Sequence, residues 1–196
     1  MSSRKALRKT VSGYTRFRNA QSVVPRLRKE PDELVRKMLL IGYLTERLEK
    51  KKPESVYIVG GQAVETYTAG QFRTGDIDIV TPDSKAAEEI LKRMGFEREG
   101  MIWLNKTLGL AIHIVGLFAK NSEKARIIHA GPYKVRIVGV EDLIVDRLAA
   151  AKFWNSQVDL EQAKALWKGF RKQIDLQYLR KRAKEEKVED VLPRKE

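Results

Sequence analysis

The amino-acid sequence predicts an α+β fold: a mixed sheet with helices, followed by a C-terminal helical subdomain. Three observations carry that prediction. Short β-branched runs alternate with helix-spaced stretches up to Gly139, after which the β signal stops. The chain has 196 residues, 42% of them apolar, enough for one sizeable core. Its net charge of +13 is gathered near the two ends. Together these predict a basic N-terminal arm over 1–30, an α+β domain over 31–139 and a helical subdomain over 140–196.

Pro31-Asp32-Glu33 has the form of a helix start, with proline and acids in the first turn. Leu34, Met38, Ile41, Leu44 and Leu48 follow at three- and four-residue steps, one face of a helix that ends near Lys50 and is broken by Pro53-Glu54. Val56 to Val59 predicts a short buried strand, and Gln62 to Tyr67 a helix after Gly60-Gly61. Ile77 to Val80 is a second strand. Ser84 is the expected N-cap of a helix with Ala87, Ile90, Leu91 and Met94 inward, stopped by Gly95. Met101 to Leu104 and Leu110 to Val115 predict strands turning near Asn105-Lys106. Ile127-Ile128 and Tyr133 to Val138 predict another pair around Gly131-Pro132. Glu141 to Trp154, Asp159 to Phe170 and Asp175 to Lys187 have helical spacing. In the first of these Asp142 and Asp146 share the polar face, and Asp159 is expected to cap the second. Trp103, Trp154 and Trp167 are expected to pack inside rather than to stack on bases.

Composition removes several chemistries. With no cysteine there is no disulfide, thiolate zinc site, iron–sulfur cluster or cysteine nucleophile. Two histidines, His113 and His129, are too few for a three-histidine metal site. No apolar run approaches the roughly 20 residues of a membrane span. The basic N-terminus lacks the apolar stretch of a secretory signal. The expectation is a soluble cytoplasmic protein with no membrane partner.

Residues 1–30 hold nine Lys or Arg against Glu30 alone, with Tyr14 and Phe17 interleaved. Residues 168–187 hold eight against three acids, while 31–167 is almost neutral. Basic ends with aromatics suit a polyanion, because each neutralised phosphate releases counterions and rings stack on unpaired bases. RNA, tRNA included, is thus a candidate partner. The plainer reading is a solubilising tail, ordered only where it packs on the body.

Chemistry concentrates between Val56 and Val80. A strand runs through Gly60-Gly61 into a helix, where glycine lets the backbone approach a ligand and amides at a helix N-terminus favour phosphate. Fourteen residues separate Gly61 from Asp76-Ile77-Asp78. Residues two apart on a strand share a face, so the two carboxylates stand side by side. Their repulsion calls for a cation between them; a hard divalent ion, usually magnesium beside nucleotide phosphates, fills that role. The plainer reading is that Asp76 ends a turn and Asp78 is solvated.

The order of glycine pair, helix and Arg73-Thr74-Gly75-Asp76-Ile77-Asp78-Ile79 resembles the signature of the nucleotidyltransferase superfamily that includes DNA polymerase beta. Glu141 to Lys152, followed by Asp159, is similar to prokaryotic members, among them the abortive-infection type transferases of toxin–antitoxin systems. The resemblance spans roughly Val56 to Leu179. It implies a nucleotidyltransferase-like fold and Mg2+-dependent transfer of a nucleoside monophosphate from an NTP to an acceptor hydroxyl. Gly60 and Gly61 would hold the triphosphate, and Asp76 and Asp78 the metal, which clamps attacking and leaving oxygens. Arg73 and Thr74 would steady the triphosphate or its loop. Arg147 and Lys152 would lie near the nucleotide phosphates, against charge on the leaving pyrophosphate.

One departure stands out. Family members place a third carboxylate on a later strand, and the matching position here is His113, between apolar neighbours. Histidine can ligate a metal or act as a base, but it brings no negative charge. The alternatives are therefore a catalytically degenerate member that binds nucleotide or RNA, or a toxin–antitoxin component with a cognate protein partner.

Overall fold

The computed structural model describes residues 14–17, 19–50, 56–119 and 122–193. The basic residues up to Lys9, Arg18 and the Pro53-Glu54 break lie outside them. The described chain forms two compact units, one from residues of 1–120 and 126–137, the other from residues of 121–125 and 138–196.

The first unit is α+β. It runs α1 (Ala20–Arg28), α2 (Glu33–Leu48), β1 (Tyr57–Ile58), α3 (Gly60–Tyr67), β2 (Ile77–Val80), α4 (Ser84–Arg93), β3 (Glu97–Glu99), β4 (Ile102–Asn105), β5 (Leu110–Gly116), β6 (Arg126–Ala130) and β7 (Tyr133–Ile137). All seven strands join one mixed sheet in the order β3-β4-β5-β2-β1-β7-β6. β1 lies antiparallel to β2 and parallel to β7, and β2 lies parallel to β5. The central β2 buries Ile77 and Ile79 and leaves Asp78 half-buried on the other face, as period-2 alternation requires.

Asp32 opens α2 by accepting the Val35 N–H at 3.0 Å. Val35, Met38, Leu39, Ile41 and Leu44 are buried, and α2 packs against β7. The approach is close enough that a Cβ on Gly42 would lie 2.6 Å from the Tyr133 Cβ.

The sheet and main helices match the sequence expectations, with the following differences. The basic stretch 1–30 is not wholly an arm. Its described second half is built into this unit, with Phe17, Val23 and Leu27 buried. The Phe17 N–H donates to Tyr133 Oη at 2.7 Å, and its ring meets those of Tyr43 and Tyr133. Burying Val23 and Leu27 is worth about 1.5–3 kcal/mol each, which holds α1 in place despite Pro25. β1 is shorter than expected because Val59 becomes the extended residue before α3, which therefore begins at Gly60 itself. Asp83, not Ser84, caps α4; its Oδ1 accepts the Ala86 N–H at 3.0 Å. β3 carries only exposed charged residues and pairs at the sheet edge.

The second unit is helical: α5 (Val140–Phe153), α6 (Gln157–Phe170) and α7 (Leu176–Glu185), with short 3-10 turns at Ser122–Lys124 and Glu189–Val191. Leu143, Ile144 and Leu148 on α5, with Ala163, Leu166 and Phe170 on α6, are buried. Ser156 rather than Asp159 caps α6, since its hydroxyl accepts the Asp159 N–H at 3.3 Å. Asp142 does not sit on a solvated face. It is 4% exposed and accepts from Arg182 Nε and Tyr178 Oη, each at 3.0 Å. Asp146, one turn on, is exposed. Trp103 is buried and Trp167 half-buried, but Trp154 is 81% exposed because it follows the last turn of α5 and projects outward. No described helix is long and apolar enough to cross a membrane.

Candidate metal centre

Four segments of the first unit converge. β1 delivers Gly60 and Gly61 to the start of α3, the loop after α3 delivers Thr74 and Asp76, and β2 and β5 deliver Asp78 and His113. The parallel pairing of β2 with β5 sets Asp78 directly opposite His113. One ligand atom from each of Asp76, Asp78 and His113 lies within 4.8 Å of the others. All three residues are half-buried.

Each carboxylate is held. Gly61 donates its N–H to Asp78 Oδ2 at 3.3 Å, and His113 Nδ1 stands 3.4 Å from Asp78 Oδ1. Thr74 Oγ1 donates to Asp76 Oδ1 at 3.2 Å. The glycine pair makes this possible sterically. Gly60 has φ +56°, and a Cβ there would lie 2.3 Å from Asp78 Oδ2. A Cβ on Gly61 would meet Thr74 Oγ1 at 3.0 Å. In this geometry Gly60 first of all admits the Asp78 carboxylate and Gly61 the Thr74 side chain, and the Gly61 amide is already engaged by Asp78.

Burial, and then the negative Asp76, push the Asp78 carboxyl above the ordinary aspartate range; the Gly61 N–H and His113 pull it back only in part. Two carboxylates and an imidazole converging from a fixed backbone are a donor set a divalent cation fits.

Sequence reasoning missed the support beneath this cluster. Lys37, with its side chain 2% exposed, donates to Glu65 Oε2 at 2.9 Å and to the Thr74 carbonyl at 2.7 Å. It also reaches Glu33 Oε1 at 3.0 Å. Glu65 is equally buried and accepts the Thr74 N–H at 3.4 Å. This pair ties α2 and α3 to the loop that carries Asp76. A signal was present: Lys37 lies between Leu34 and Ile41 on the inward face of its helix, where a lysine is out of place unless paired.

The remaining predicted residues fall differently. Arg73 is exposed beside Thr74. Arg147 and Lys152 belong to the second unit, where Arg147 pairs with Asp159 at 2.8 Å and Lys152 with Asp190 at 2.6 Å. Each cation is thus held by a carboxylate of its own unit.

No family model matches this chain, and no curated protein matches it. Among solved structures the chain is similar to the antibiotic-resistance factor ANT(2'')-Ia, known from a solution structure, at 15% identity and a TM-score of 0.48. The likeness covers 81% of this chain and 91% of that one. It is too distant to assign a family or a role to any residue.

Proposed function

We propose that the chain is a nucleotidyltransferase, transferring a nucleoside monophosphate from an NTP to an acceptor hydroxyl in a Mg2+-dependent reaction, in the cytoplasm. The observation that carries this reading is the convergence of Asp76, Asp78 and His113 beside the glycine-opened start of α3. Asp76 and Asp78 would hold the cation, with His113 as third member. Bound there, a divalent cation supplies positive charge against the triphosphate and the developing charge of transfer.

The chain's own groups do the rest. Thr74 and the Gly61 amide fix the two carboxylates in orientation, so that little reorganisation is needed when charge develops. The Gly60 N–H and the exposed Arg73 are the groups for the triphosphate, with Gly61 and Thr74 shaping its cradle. The acceptor we favour is RNA, on the strength of the basic ends.

Calorimetric titration with non-hydrolysable NTP analogues, with and without Mg2+, tests the reading. The Asp76→Asn, Asp78→Asn double variant serves as control. Metal-dependent binding lost in the variant is the expected result; a folded chain that binds no nucleotide would sink the proposal.

A second reading has its own observation. Histidine in place of a third carboxylate favours a degenerate member that binds nucleotide or RNA without turnover. Gain of Mg2+-dependent turnover on His113→Asp would select that reading. For a toxin–antitoxin role, the test is growth on expression of the wild type against Asp78→Ala.

A further inference from the structure

We infer that the Asp76, Asp78 and His113 centre selects first-row transition cations over Mg2+, with a ring nitrogen of His113 as the selecting ligand and Mn2+, the weakest nitrogen binder of that series, as the probe. The inference rests on the metal-binding part of the proposed function and not on nucleotide transfer.

The position of the ring is the first reason. β2–β5 pairing fixes the His113 backbone opposite Asp78, and its Nδ1 stands 3.4 Å from Asp78 Oδ1. Among the described residues Asp78 is the ring's one polar partner, which leaves the other nitrogen unclaimed by protein. A histidine that served packing alone would have both nitrogens satisfied or turned to bulk water. This one is 25% exposed in its side chain and lies within 4.8 Å of two carboxylates, ligand atom to ligand atom.

The second reason is the chemistry of the donor set. Mg2+ is held by oxygen ligands in near-ideal octahedral geometry and sheds water reluctantly. Its retention depends strongly on negative charge. Here the third ligand is an imidazole, so the set brings two negative charges at most. Imidazole nitrogen compensates for the missing charge with transition cations, whose affinity for nitrogen rises along the Irving–Williams series, and does not with Mg2+. Replacing the ring by a carboxylate changes both factors in the direction of Mg2+.

The third reason is rigidity. Gly61 and Thr74 orient the carboxylates, and the buried Lys37–Glu65 pair fixes the loop beneath Asp76. A site so held cannot readily swing in another acid. The two glutamates nearest in sequence to β4, Glu97 and Glu99, are exposed on β3, which β4 and β5 separate from β2 in the sheet.

The test uses Mn2+ and Mg2+ alone, on the full chain without nucleotide. Free Mn2+ is followed by electron paramagnetic resonance during titration, then Mg2+ is added as competitor. Pulsed measurement of the bound ion reads nitrogen coupling, which only a directly ligating imidazole gives at this site. The wild type is expected to hold Mn2+ at least about tenfold tighter than Mg2+, with nitrogen coupling present. His113→Asp should abolish the coupling and shrink the preference by tightening Mg2+. His113→Gln, the second variant should the first fail to fold, should lose the coupling and weaken Mn2+. Asp76→Asn, Asp78→Asn must remove the bound ion. Absent nitrogen coupling in the wild type, an unchanged preference in His113→Asp, or no metal bound at all would overturn the inference. Selective Mn2+ binding by a chain that ignores every NTP would remove the transferase reading and leave this one standing. Nucleotide binding with Mg2+ but no nitrogen coupling would do the reverse.

Discussion

Gly60→Ala separates the architecture of the centre from the stability of the fold. The backbone there has φ +56°, a conformation that costs a residue with a Cβ about 1–2 kcal/mol. The new methyl would stand 2.3 Å from Asp78 Oδ2, where ordinary contact begins at 3.4 Å. Asp78 is the mobile partner, so its carboxylate must retreat by roughly 1 Å, beyond the ~0.5 Å tolerance of a working ligand constellation. The retreat also strains the Gly61 N–H bond to the same oxygen. The expected outcome is a folded protein less stable by about 1–2 kcal/mol, read by urea unfolding, that has lost Mn2+ and Mg2+ binding in titration. Gly75→Ala is the control. Its Cβ meets nothing within 4 Å, although Gly75 directly precedes Asp76. Both readouts should stay at wild-type values within about 0.5 kcal/mol. Metal binding retained by Gly60→Ala would refute the claim that glycine is needed there to admit the carboxylate.

Three further outcomes follow from the same geometry. Lys37→Met leaves Glu65 buried without its cation and should cost about 3–5 kcal/mol in chemical denaturation, most of it recovered in the Lys37→Met, Glu65→Leu double variant. Gly42→Ala should cost about 1–3 kcal/mol, because the helix backbone and the Tyr133 Cβ are both fixed, and a shift below 0.5 kcal/mol would contradict the packing of α2 on β7. Asp78→Asn should stabilise the metal-free chain at neutral pH. The folded carboxyl lies above its unfolded value, so the group favours folding below the ordinary aspartate range and loses that contribution as pH rises through its raised folded value. Thermal melts of the two proteins should therefore converge as pH falls below the ordinary aspartate range; a gap that widens toward acid would reverse the sign of the argument.

The sequence by itself determined the α+β class, the nearness of Asp76 and Asp78, although only Asp78 lies on β2, and the switch to helices after Gly139. These features live in local periodicity: apolar residues two apart on β2, three and four apart on α2 and α5, and glycine where the chain turns. It also marked Lys37 as anomalous, although that signal lay unused. What it left undetermined depended on partners distant along the chain. The stretch through α1 reads as a charged tail until Val23 and Leu27 are buried and Phe17 is set against Tyr43 and Tyr133, 116 residues away in the case of the Phe17 hydrogen bond. β3 has no apolar face to betray it, since its residues Glu97, Arg98 and Glu99 are all exposed and charged and pair with β4 through the backbone. Asp142 has the spacing of a solvated face and is buried because Arg182 and Tyr178 return to it from α7. Most of all, the nearness of His113 to Asp78 was decided by tertiary structure. Strand register is a property of two segments at once, and only the parallel pairing of β2 with β5 brings a histidine between apolar neighbours beside two carboxylates in a group that could hold a metal ion.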